Sequence, residues 1–228
     1  MSVTQALQFG SLLAGAYLLG SVPTAYLVAR WRRGIDIRRF GSGNIGAANV
    51  VAAGSRWTAV IVVAFDLLKG AAPVYVAKAT NVPVYEQVTV GIAAICGHNW
   101  TVFLRFSGGR GILCTLGVLT AFSPLLGAVA TLLNFAWAPF KQFALGTVIT
   151  LSLLPVLSWF LSGVFFIQRS TALTLGFVAI LFIAVIRRIT APRTEFSSSL
   201  PMRELVTNRL LFDRDIRDRK AWLSRRVS

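Results

Sequence analysis

Long runs of apolar residues divide this chain, and they constrain its fold more than any other feature of the sequence. The first run spans Ala6 to Val28 and the second spans Trp57 to Val76. Each is close to the roughly 20 residues with which a helix crosses a bilayer. Hydrophobic residues make up 55% of the 228 residues and charged residues only 14%, which is too apolar for an ordinary soluble domain. The pattern predicts an all-α, polytopic membrane helix bundle.

Further apolar segments bring the expected number of transmembrane helices to about seven. These segments are Val88 to Phe106, Ile112 to Ala121, Leu125 to Phe140, Phe143 to Phe166 and Ala172 to Ile186. The fourth and fifth crossings are short and are separated only by the residues FSPLL. They could form one long helix or two thin ones.

Basic residues indicate how the helices are oriented, because lysine and arginine gather in cytoplasmic loops. Arginines crowd the loop after the first run, and the segment from Arg187 onward is basic as well. Both regions reach the same side of the membrane only if the number of crossings is odd. We therefore expect seven crossings, with the N-terminus outside and the C-terminus in the cytoplasm.

The formal net charge of +15 would indicate nucleic-acid binding in a soluble protein. Here the topology explains where the charge lies, and the inner membrane face attracts basic residues by about 1 kcal/mol each. Membrane lipid is therefore an expected partner and nucleic acid is not. Cys96 and Cys114 lie in apolar runs without metal-ligand spacing, so we expect core residues and no metal site.

The segment RRFGSGNIGAANV, residues 38–50, contains the spacing of a dinucleotide-binding turn. Gly41, Gly43 and Gly46 match G-x-G-x-x-G, and Asp66 follows Gly46 by 20 residues, where a ribose-binding acid belongs. That site needs a buried strand before the glycines and a helix with a second strand after them. Transmembrane runs lie on both sides instead, so a dinucleotide-binding domain is not expected.

Two glycine-rich loops face the cytoplasm in this arrangement, and both carry the parts of an anion site. In the first, GSGNIGAAN, Gly43 and Gly46 let the backbone turn so that successive N–H groups point at one spot. Ser42, Asn44 and Asn49 add short polar side chains. The alternative is that such a turn only connects two helices tightly.

The second loop, RFSGGRGIL, combines three glycines with one arginine. Gly108, Gly109 and Gly111 can form a similar turn, and Arg110 offers a planar fork for phosphate oxygens. A helix that begins near Ile112 would direct its positive end into the loop. Two such loops on one face, each with arginine beside it, favour phosphate binding over plain helix connections.

Ionisable residues inside the apolar runs form a second set of candidates. Asp66 and Lys69, in FDLLKG, project from one helical face, and we interpret them as a structural ion pair that also shapes the wall of the site. His98, in GHNWTVF, has no acidic neighbour in sequence and no second histidine to share a metal. A core or substrate-orienting role is favoured for it over base or ligand.

The segments GSGNIGAANV, FDLLKG and GHNWTVFLRFSGGRG occur in the order and approximate spacing of one known family. The chain resembles the bacterial membrane glycerol-3-phosphate acyltransferases that use acyl phosphate as donor, closely over residues 5–125 and by hydrophobic profile beyond. The resemblance implies a seven-helix, multi-pass inner-membrane enzyme of phospholipid synthesis. It would move a fatty acyl group from acyl phosphate to the sn-1 hydroxyl of glycerol 3-phosphate, giving lysophosphatidate and phosphate without a cofactor.

The resemblance also implies roles for single residues. Ser42 matches the family's essential serine, and Arg110 stands where the family has lysine, which exchanges a point charge for a planar fork. These two residues and Asn44 are the expected catalytic residues. The other candidate residues of the two loop segments are expected to bind substrate: Gly43, Gly46, Asn49, His98, Asn99, Ser107, Gly108, Gly109 and Gly111.

The chain departs from the family pattern at two places. Family members usually carry an arginine ten residues after the serine, where this chain has Ala52, with Arg56 one helical turn further on. A third motif with histidine, asparagine and G-T-E should follow the last helix. This chain has VIRRITAPRTEF instead, in which only Thr194 and Glu195 match.

A basic tail, residues 193–228, follows the membrane domain of residues 1–192. SSSLP resembles a flexible joint, and the residues after it give a loose apolar stripe of Leu205, Leu211, Phe212, Ile216, Trp222 and Leu223. A basic amphipathic helix on the inner membrane face and a solvated helix without a role both fit this pattern.

Two other functions remain open on the sequence alone. The broken third motif fits a relative that has lost catalysis or changed its acceptor and binds lipid phosphates. Basic loops with glycine turns fit a small anion transporter, although intramembrane charge is confined to Asp66 and Lys69 and no inverted repeat is visible. The oligomeric state is not encoded in any pattern that we find.

Overall fold

A computed structural model describes residues 2–40, 42–53, 56–192 and 194–224 of the chain. Gly41 and Arg193 lie outside the described residues, as do the side chains of Glu195 and Leu223. Within the described ranges the regular elements are helices and no strand occurs, so the expected all-α fold is confirmed. The strands that a dinucleotide-binding turn requires are absent from this part of the chain.

Twelve α-helices are described. They are α1 (Val3–Ser21), α2 (Thr24–Arg33), α3 (Ala47–Ala52), α4 (Arg56–Ala79), α5 (Val84–Asn99), α6 (Ile112–Phe122), α7 (Pro124–Phe135), α8 (Phe143–Phe160), α9 (Thr171–Ile189), α10 (Glu195–Ser199), α11 (Met202–Phe212) and α12 (Arg219–Ser224). Short 3₁₀ turns at Ile37–Arg39 and Val102–Leu104 enter the two glycine loops.

Among the described residues, four stretches of helix are long and apolar enough to cross a membrane, namely Val3–Arg33, α4, α8 and α9. Helices α6 and α7 are apolar but shorter. The chain is therefore a multi-pass membrane protein. The number of crossings and the side of each end stay predictions.

Four of the expected crossings are shorter or broken in the structure. The helix of the fifth crossing ends at Phe135 and that of the sixth ends at Phe160. The run Ala6 to Val28 is not one helix, because α1 ends before Val22 and α2 begins after Pro23; a residue that precedes proline avoids the helical conformation. The third run, expected over Val88 to Phe106, forms α5 only as far as Asn99.

The fourth and fifth segments are two separate helices. Ser123 between them has an extended backbone (φ −153°), and its Oγ accepts a hydrogen bond from the N–H of Leu126 at 3.2 Å. Pro124 occupies the first turn of α7, where its missing N–H costs nothing. A serine cap followed by proline therefore ends α6 and starts α7.

Close helix contacts through glycine hold α4 against α6. A Cβ atom at Gly70 would lie 2.0 Å from the carbonyl oxygen of Cys114, and one at Gly117 would lie 2.0 Å from that of Leu67. Only glycine permits such backbone contact, which is typical of helix packing in membranes. Cys96 and Cys114 are both free thiols.

Both glycine loops and the tail lie at one end of the bundle. At this end Thr101 Oγ1 donates a hydrogen bond to the carbonyl of Ser21, and Arg188 Nη2 donates to the carbonyl of Ala144 at 2.9 Å. These bonds join the end of α1 to the turn after α5, and the end of α9 to the start of α8. At the opposite end, Lys78 Nζ donates to the carbonyl of Ala121 at 2.6 Å.

Candidate functional site

The first glycine loop is held from within by Asn49. The buried Nδ2 of this side chain donates to the carbonyls of Ile37 at 3.0 Å and Phe40 at 2.9 Å, while its Oδ1 accepts from the N–H of Ser42 at 3.1 Å. Gly43 adopts φ +69°, a backbone conformation that favours glycine. Asn49 thus fixes the loop that presents Ser42, and a direct contact of Asn49 with substrate stays a prediction.

Ser42 and Asn44 lie next to each other in this loop. Both are half-buried, and the N–H of Asn44 approaches Ser42 Oγ at 3.4 Å. The entry to the loop is fixed by an ion pair, in which Arg38 Nη2 lies 2.6 Å from Asp36 Oδ2. The hydrogen bond from Arg38 lowers the pKa of the Asp36 carboxyl.

The glycines of the second loop are required by packing against His98 and Asn99. A Cβ atom at Gly108 would lie 2.2 Å from the carbonyl oxygen of His98, and one at Gly109 would lie 2.2 Å from His98 Nε2. Gly111, at φ +73°, would place a Cβ atom 2.6 Å from Asn99 Oδ1. The N–H of Gly109 donates to the carbonyl of His98 at 3.0 Å, so this donor is not available to a ligand.

Arg187, at the end of α9, holds the same loop from its carbonyl side. Its guanidinium is buried, with Nε donating to the carbonyl of Gly109 at 3.0 Å and Nη2 to that of Gly108 at 2.7 Å. The basic pattern of the sequence indicates only membrane topology for Arg187 and does not predict this role. A pair of arginines that ends an apolar run was the available signal, but charge alone does not distinguish a buried clamp from a solvated side chain.

Arg110 is half-buried at the edge of the second loop. Its Nε lies 2.8 Å from Asp213 Oδ1, and its Nη1 donates to the carbonyl of Arg187 at 3.1 Å. Arg110 also lines a cleft among α6, α7 and α8, together with the buried polar side chains of Thr115, Asn134, Thr147 and Thr150. Ser42, in the described part of the chain, does not line that cleft.

The two loops are linked by apolar packing. Leu104, just before the second loop, packs against the buried cluster that contains Ile45 and Val50 of the first loop region. Ser107 is exposed between Leu104 and the glycines. The structure thus places both loops at one end of the bundle, as expected, on a common apolar support.

The intramembrane ion pair is confirmed as a buried contact. Lys69 Nζ lies 2.8 Å from Asp66 Oδ1 and donates to the carbonyl of Val22 at 3.0 Å. Both side chains are almost fully buried. Lys69 therefore connects α4 to the break between α1 and α2.

His98 has an acidic neighbour after all, contrary to what its sequence surroundings indicate. Its Nδ1 lies 3.9 Å from Asp66 Oδ1, which is too long for a hydrogen bond. Within the described residues, Nδ1 of His98 and both side-chain polar atoms of Asn99 are buried without a hydrogen-bond partner. His98 is buried beneath Gly109, as expected of a core residue, and an orienting role toward substrate stays a prediction.

The tail packs against the helix bundle. SSSLP is not an open joint, since Ser197 to Ser199 belong to α10, and α11 packs against α8 and α9. Leu205 and Trp222 are buried, whereas Leu211 is 43% exposed. Leu205 and Trp222 thus serve contacts within the protein, and the expected stripe is divided between α11 and α12. A role of the exposed apolar residues at the membrane face stays a prediction.

Ala52, Arg56 and Thr194, the residues noted where the chain departs from the family pattern, take no part in the hydrogen bonds and ion pairs described above for the two glycine loops. Ala52 and Arg56 are exposed, at the end of α3 and the start of α4. Thr194 donates its hydroxyl to the buried carboxylate of Asp215 and so fastens the start of the tail. In the described residues no group of histidine, cysteine, aspartate and glutamate has the arrangement of a metal site.

Comparison with known proteins gives one consistent result. The family model described as Glycerol-3-phosphate acyltransferase matches residues 11–192. Glycerol-3-phosphate acyltransferase 4 of Dehalococcoides mccartyi (strain CBDB1) is 43% identical over 219 residues, covering 95% of this chain and 94% of the relative. Glycerol-3-phosphate acyltransferase of Trichlorobacter lovleyi is 38% identical, covering 77% of this chain and 87% of the relative.

Solved structures agree with the sequence matches. Two crystal structures of PlsY (YgiH), an integral membrane glycerol 3-phosphate acyltransferase, superpose with TM-scores of 0.72 for the glycerol 3-phosphate form and 0.70 for the lysophosphatidic acid form. Each is 28% identical and covers 79% of this chain and 88% of the other chain. Both the fold and the sequence of residues 11–192 therefore match one family, while the tail lies beyond the family model.

Proposed function

The chain belongs to the glycerol-3-phosphate acyltransferase family, and we propose that it transfers a fatty acyl group from acyl phosphate to the sn-1 hydroxyl of glycerol 3-phosphate. The products are lysophosphatidate and inorganic phosphate. The observation that carries this proposal is the structure of the second glycine loop. The loop packs against His98, its carbonyls accept hydrogen bonds from Arg187, and Arg110 lies at its edge. We place the protein in the inner membrane, with both glycine loops in the cytoplasm.

The proposed chemistry is a single displacement at the acyl carbon. The sn-1 oxygen attacks the carbonyl carbon, a carbon–oxygen ester bond forms, and the bond between that carbon and the phosphate oxygen breaks. The departing phosphate takes the proton of the attacking hydroxyl, so the protein needs no strong base. Acyl phosphate is already activated, which leaves positioning and charge stabilisation as the main tasks of the site.

Each loop supplies different groups in this scheme. Arg110 binds phosphate oxygens with its free edge, because a guanidinium matches the geometry of a phosphate. Ser42, whose backbone N–H donates to Asn49, and Asn44 beside it orient the acceptor. No cofactor takes part.

The acyl chain lies along the apolar surface of the helices. Phe103 and Phe106, which precede the second loop, are 58% and 60% exposed. Exposed aromatic side chains beside a polar loop suit the boundary between lipid and water. They therefore offer a surface on which the chain of the donor leads from the bilayer to the loop.

Ala52 and the altered third motif favour a second candidate, a relative that binds lipid phosphates without acyl transfer. The test is to supply purified protein in lipid nanodiscs with palmitoyl phosphate, with and without glycerol 3-phosphate, and to measure both phosphate release and lysophosphatidate. Acyl transfer predicts acceptor-dependent release in the wild type and its loss in Ser42→Ala and Arg110→Ala. Arg169→Ala is the matched control. Arg169 lies in the loop between α8 and α9, at the opposite end of the bundle from the glycine loops, and packs over the ring of Trp159 of α8.

Release without the acceptor, or no release from folded protein, would contradict the proposal. Regiospecific analysis of the product tests the sn-1 assignment separately. Supplying a coenzyme A thioester in place of palmitoyl phosphate tests whether the protein requires acyl phosphate as its donor.

A further inference from the structure

The tail is fastened to the bundle by a buried polar network. Arg209 Nε lies 2.8 Å from Asp215 Oδ1, and its Nη1 donates to the carbonyls of Ile189 at 2.6 Å and Ala191 at 2.9 Å. Asn208 Nδ2 donates to the carbonyl of Asp215 at 2.9 Å. All of these tail side chains are at most 4% exposed. A buried charge pair with its hydrogen bonds satisfied fixes one geometry.

A further bond connects the tail to the last membrane helix. Arg188 Nη1 donates to the carbonyl of Leu210 at 2.8 Å. The end of α11 is therefore held by both Arg188 and Arg209. The residue that follows this helix has little freedom to move.

That residue is Asp213, and it meets Arg110. It adopts φ +54° directly after α11, in the left-handed region that aspartate and asparagine tolerate better than most residues. Its carboxylate oxygens lie 2.8 and 3.1 Å from Arg110 Nε. The two side chains are only 20% and 15% exposed, so the pair is partly shielded from water.

The contacts of Arg110 use only part of its guanidinium. Nε faces Asp213 and Nη1 faces the carbonyl of Arg187. Toward the residues that the structure describes, Nη2 donates no hydrogen bond. The side chain is thus fixed on two sides with one edge left for a ligand.

We propose that Asp213 is a positioning residue, which fixes the guanidinium of Arg110 so that its remaining edge faces the phosphate group of a substrate. An unrestrained arginine side chain carries rotamer entropy, part of which a ligand must otherwise remove. Asp213 also offsets charge where Arg110, Arg187 and Arg188 come close together. The assignment of the ligand as a phosphate group rests on the proposed function.

If Asp213 instead blocked the phosphate site, its removal would have the opposite effect on phosphate binding. An aspartate that occupied the anion site as a substitute ligand would compete with phosphate, and its removal would strengthen phosphate binding. The distribution of contacts favours positioning, because Asp213 binds the Nε side and leaves Nη2.

The test uses the full chain in lipid nanodiscs with Asp213→Asn. Asparagine keeps the shape of the side chain and tolerates φ +54°, so the change removes the charge with little effect on folding. Asp218→Asn is the matched control, because Asp218 is an exposed residue of the same tail whose carboxylate accepts hydrogen bonds from the backbone N–H groups of Lys220 and Ala221. Turnover is measured with palmitoyl phosphate and glycerol 3-phosphate, and binding of inorganic phosphate is measured by calorimetry.

We expect Asp213→Asn to raise the KM of a phosphorylated substrate and the Kd of phosphate by about tenfold, with a smaller change in kcat. Asp218→Asn should change each by less than about twofold. In an Arg110→Lys background the effect of Asp213→Asn should largely disappear, because lysine lacks the fork that Asp213 fixes. A role in folding alone would lower the Tm and the active fraction while leaving KM unchanged.

Each result decides the proposal. An unchanged or lower KM and Kd in Asp213→Asn would overturn it while leaving the acyltransferase function intact. If the wild type shows no turnover, the proposed function fails, and the phosphate Kd alone then decides the role of Asp213. Wild-type protein that binds no phosphate would contradict the inference directly.

Discussion

Arg187 Nη2 lies 2.7 Å from the carbonyl oxygen of Gly108, so the last turn of α9 holds the second glycine loop. The same guanidinium reaches Gly109 through Nε at 3.0 Å. A helix far along the chain thereby fixes the loop that begins α6. The loop is consequently a rigid part of the bundle and differs in this respect from a plain connection.

Arg187→Lys should weaken this clamp, because an ammonium group cannot donate to both carbonyls with the geometry of the planar fork. We expect a loss of about 1.5–3 kcal/mol in stability, the range for a hydrogen bond to a charged group, together with lower acyl transfer. Thermal unfolding in detergent and the turnover assay measure the two effects. Arg32→Lys, at an exposed position of α2, is the control, and equal unfolding temperatures for the two variants would argue against the clamp.

Gly109→Ala should disrupt the site by a direct clash. The added Cβ atom would lie 2.2 Å from His98 Nε2, a separation that forces the loop or the ring to shift. We expect loss of most activity and a lower unfolding temperature. Gly15→Ala, which meets no atom within 4 Å, should instead be neutral or gain up to about 1 kcal/mol from helix propensity.

The clash has a specific partner, which gives a second test of the same prediction. If His98 is the obstacle, His98→Ala combined with Gly109→Ala should unfold at a higher temperature than Gly109→Ala alone. If the two decreases in unfolding temperature simply add in the double variant, His98 is not the obstacle, and another contact makes alanine unfavourable at position 109.

Much of this arrangement is predictable from local sequence. Apolar length predicts the membrane helices, and Asp66 and Lys69 are correctly expected to pair because a separation of three residues places them on one helical face. Pro23 and Pro124 account for the helix breaks, although the break after Val22 was not expected. Such features depend on near neighbours in the chain, which is why sequence patterns capture them.

The remaining features depend on contacts that are distant in sequence. Arg110 and Asp213 are separated by 103 residues, and Arg187 and Gly108 by 79. The spacing of residues along the sequence does not indicate which of the many arginines has a buried side chain. His98 likewise finds Asp66 on another helix, so the absence of an acidic neighbour in sequence was misleading.

Asn49→Ala should loosen the first loop, because three hydrogen bonds to Ile37, Phe40 and Ser42 are lost together. The carbonyls of Ile37 and Phe40 keep backbone donors in the N–H groups of Phe40 and Gly43, so the cost is that of the lost hydrogen bonds, about 0.5–1.5 kcal/mol each. If Ser42 orients the acceptor, kcat/KM for glycerol 3-phosphate should fall at least about tenfold, as measured by phosphate release. Asn81→Gly, at φ +55° in the turn between α4 and α5, is the control because glycine tolerates this backbone conformation, and matching kinetics in the two variants would contradict this role for Asn49.

Asp66→Asn should be strongly destabilising, because it leaves the Lys69 ammonium buried without its partner carboxylate. Breaking a buried pair from one side costs about 3–5 kcal/mol, whereas Asp36→Asn breaks the half-exposed pair with Arg38 and should cost below about 1 kcal/mol. Denaturant or thermal unfolding in detergent compares the two variants directly.

Removing both charges with Asp66→Asn and Lys69→Met should recover much of the lost stability, since no unpaired ion remains. If the double variant folds well yet has no activity, the pair also shapes the site beside His98; if it is fully active, the pair only joins α4 to the break between α1 and α2.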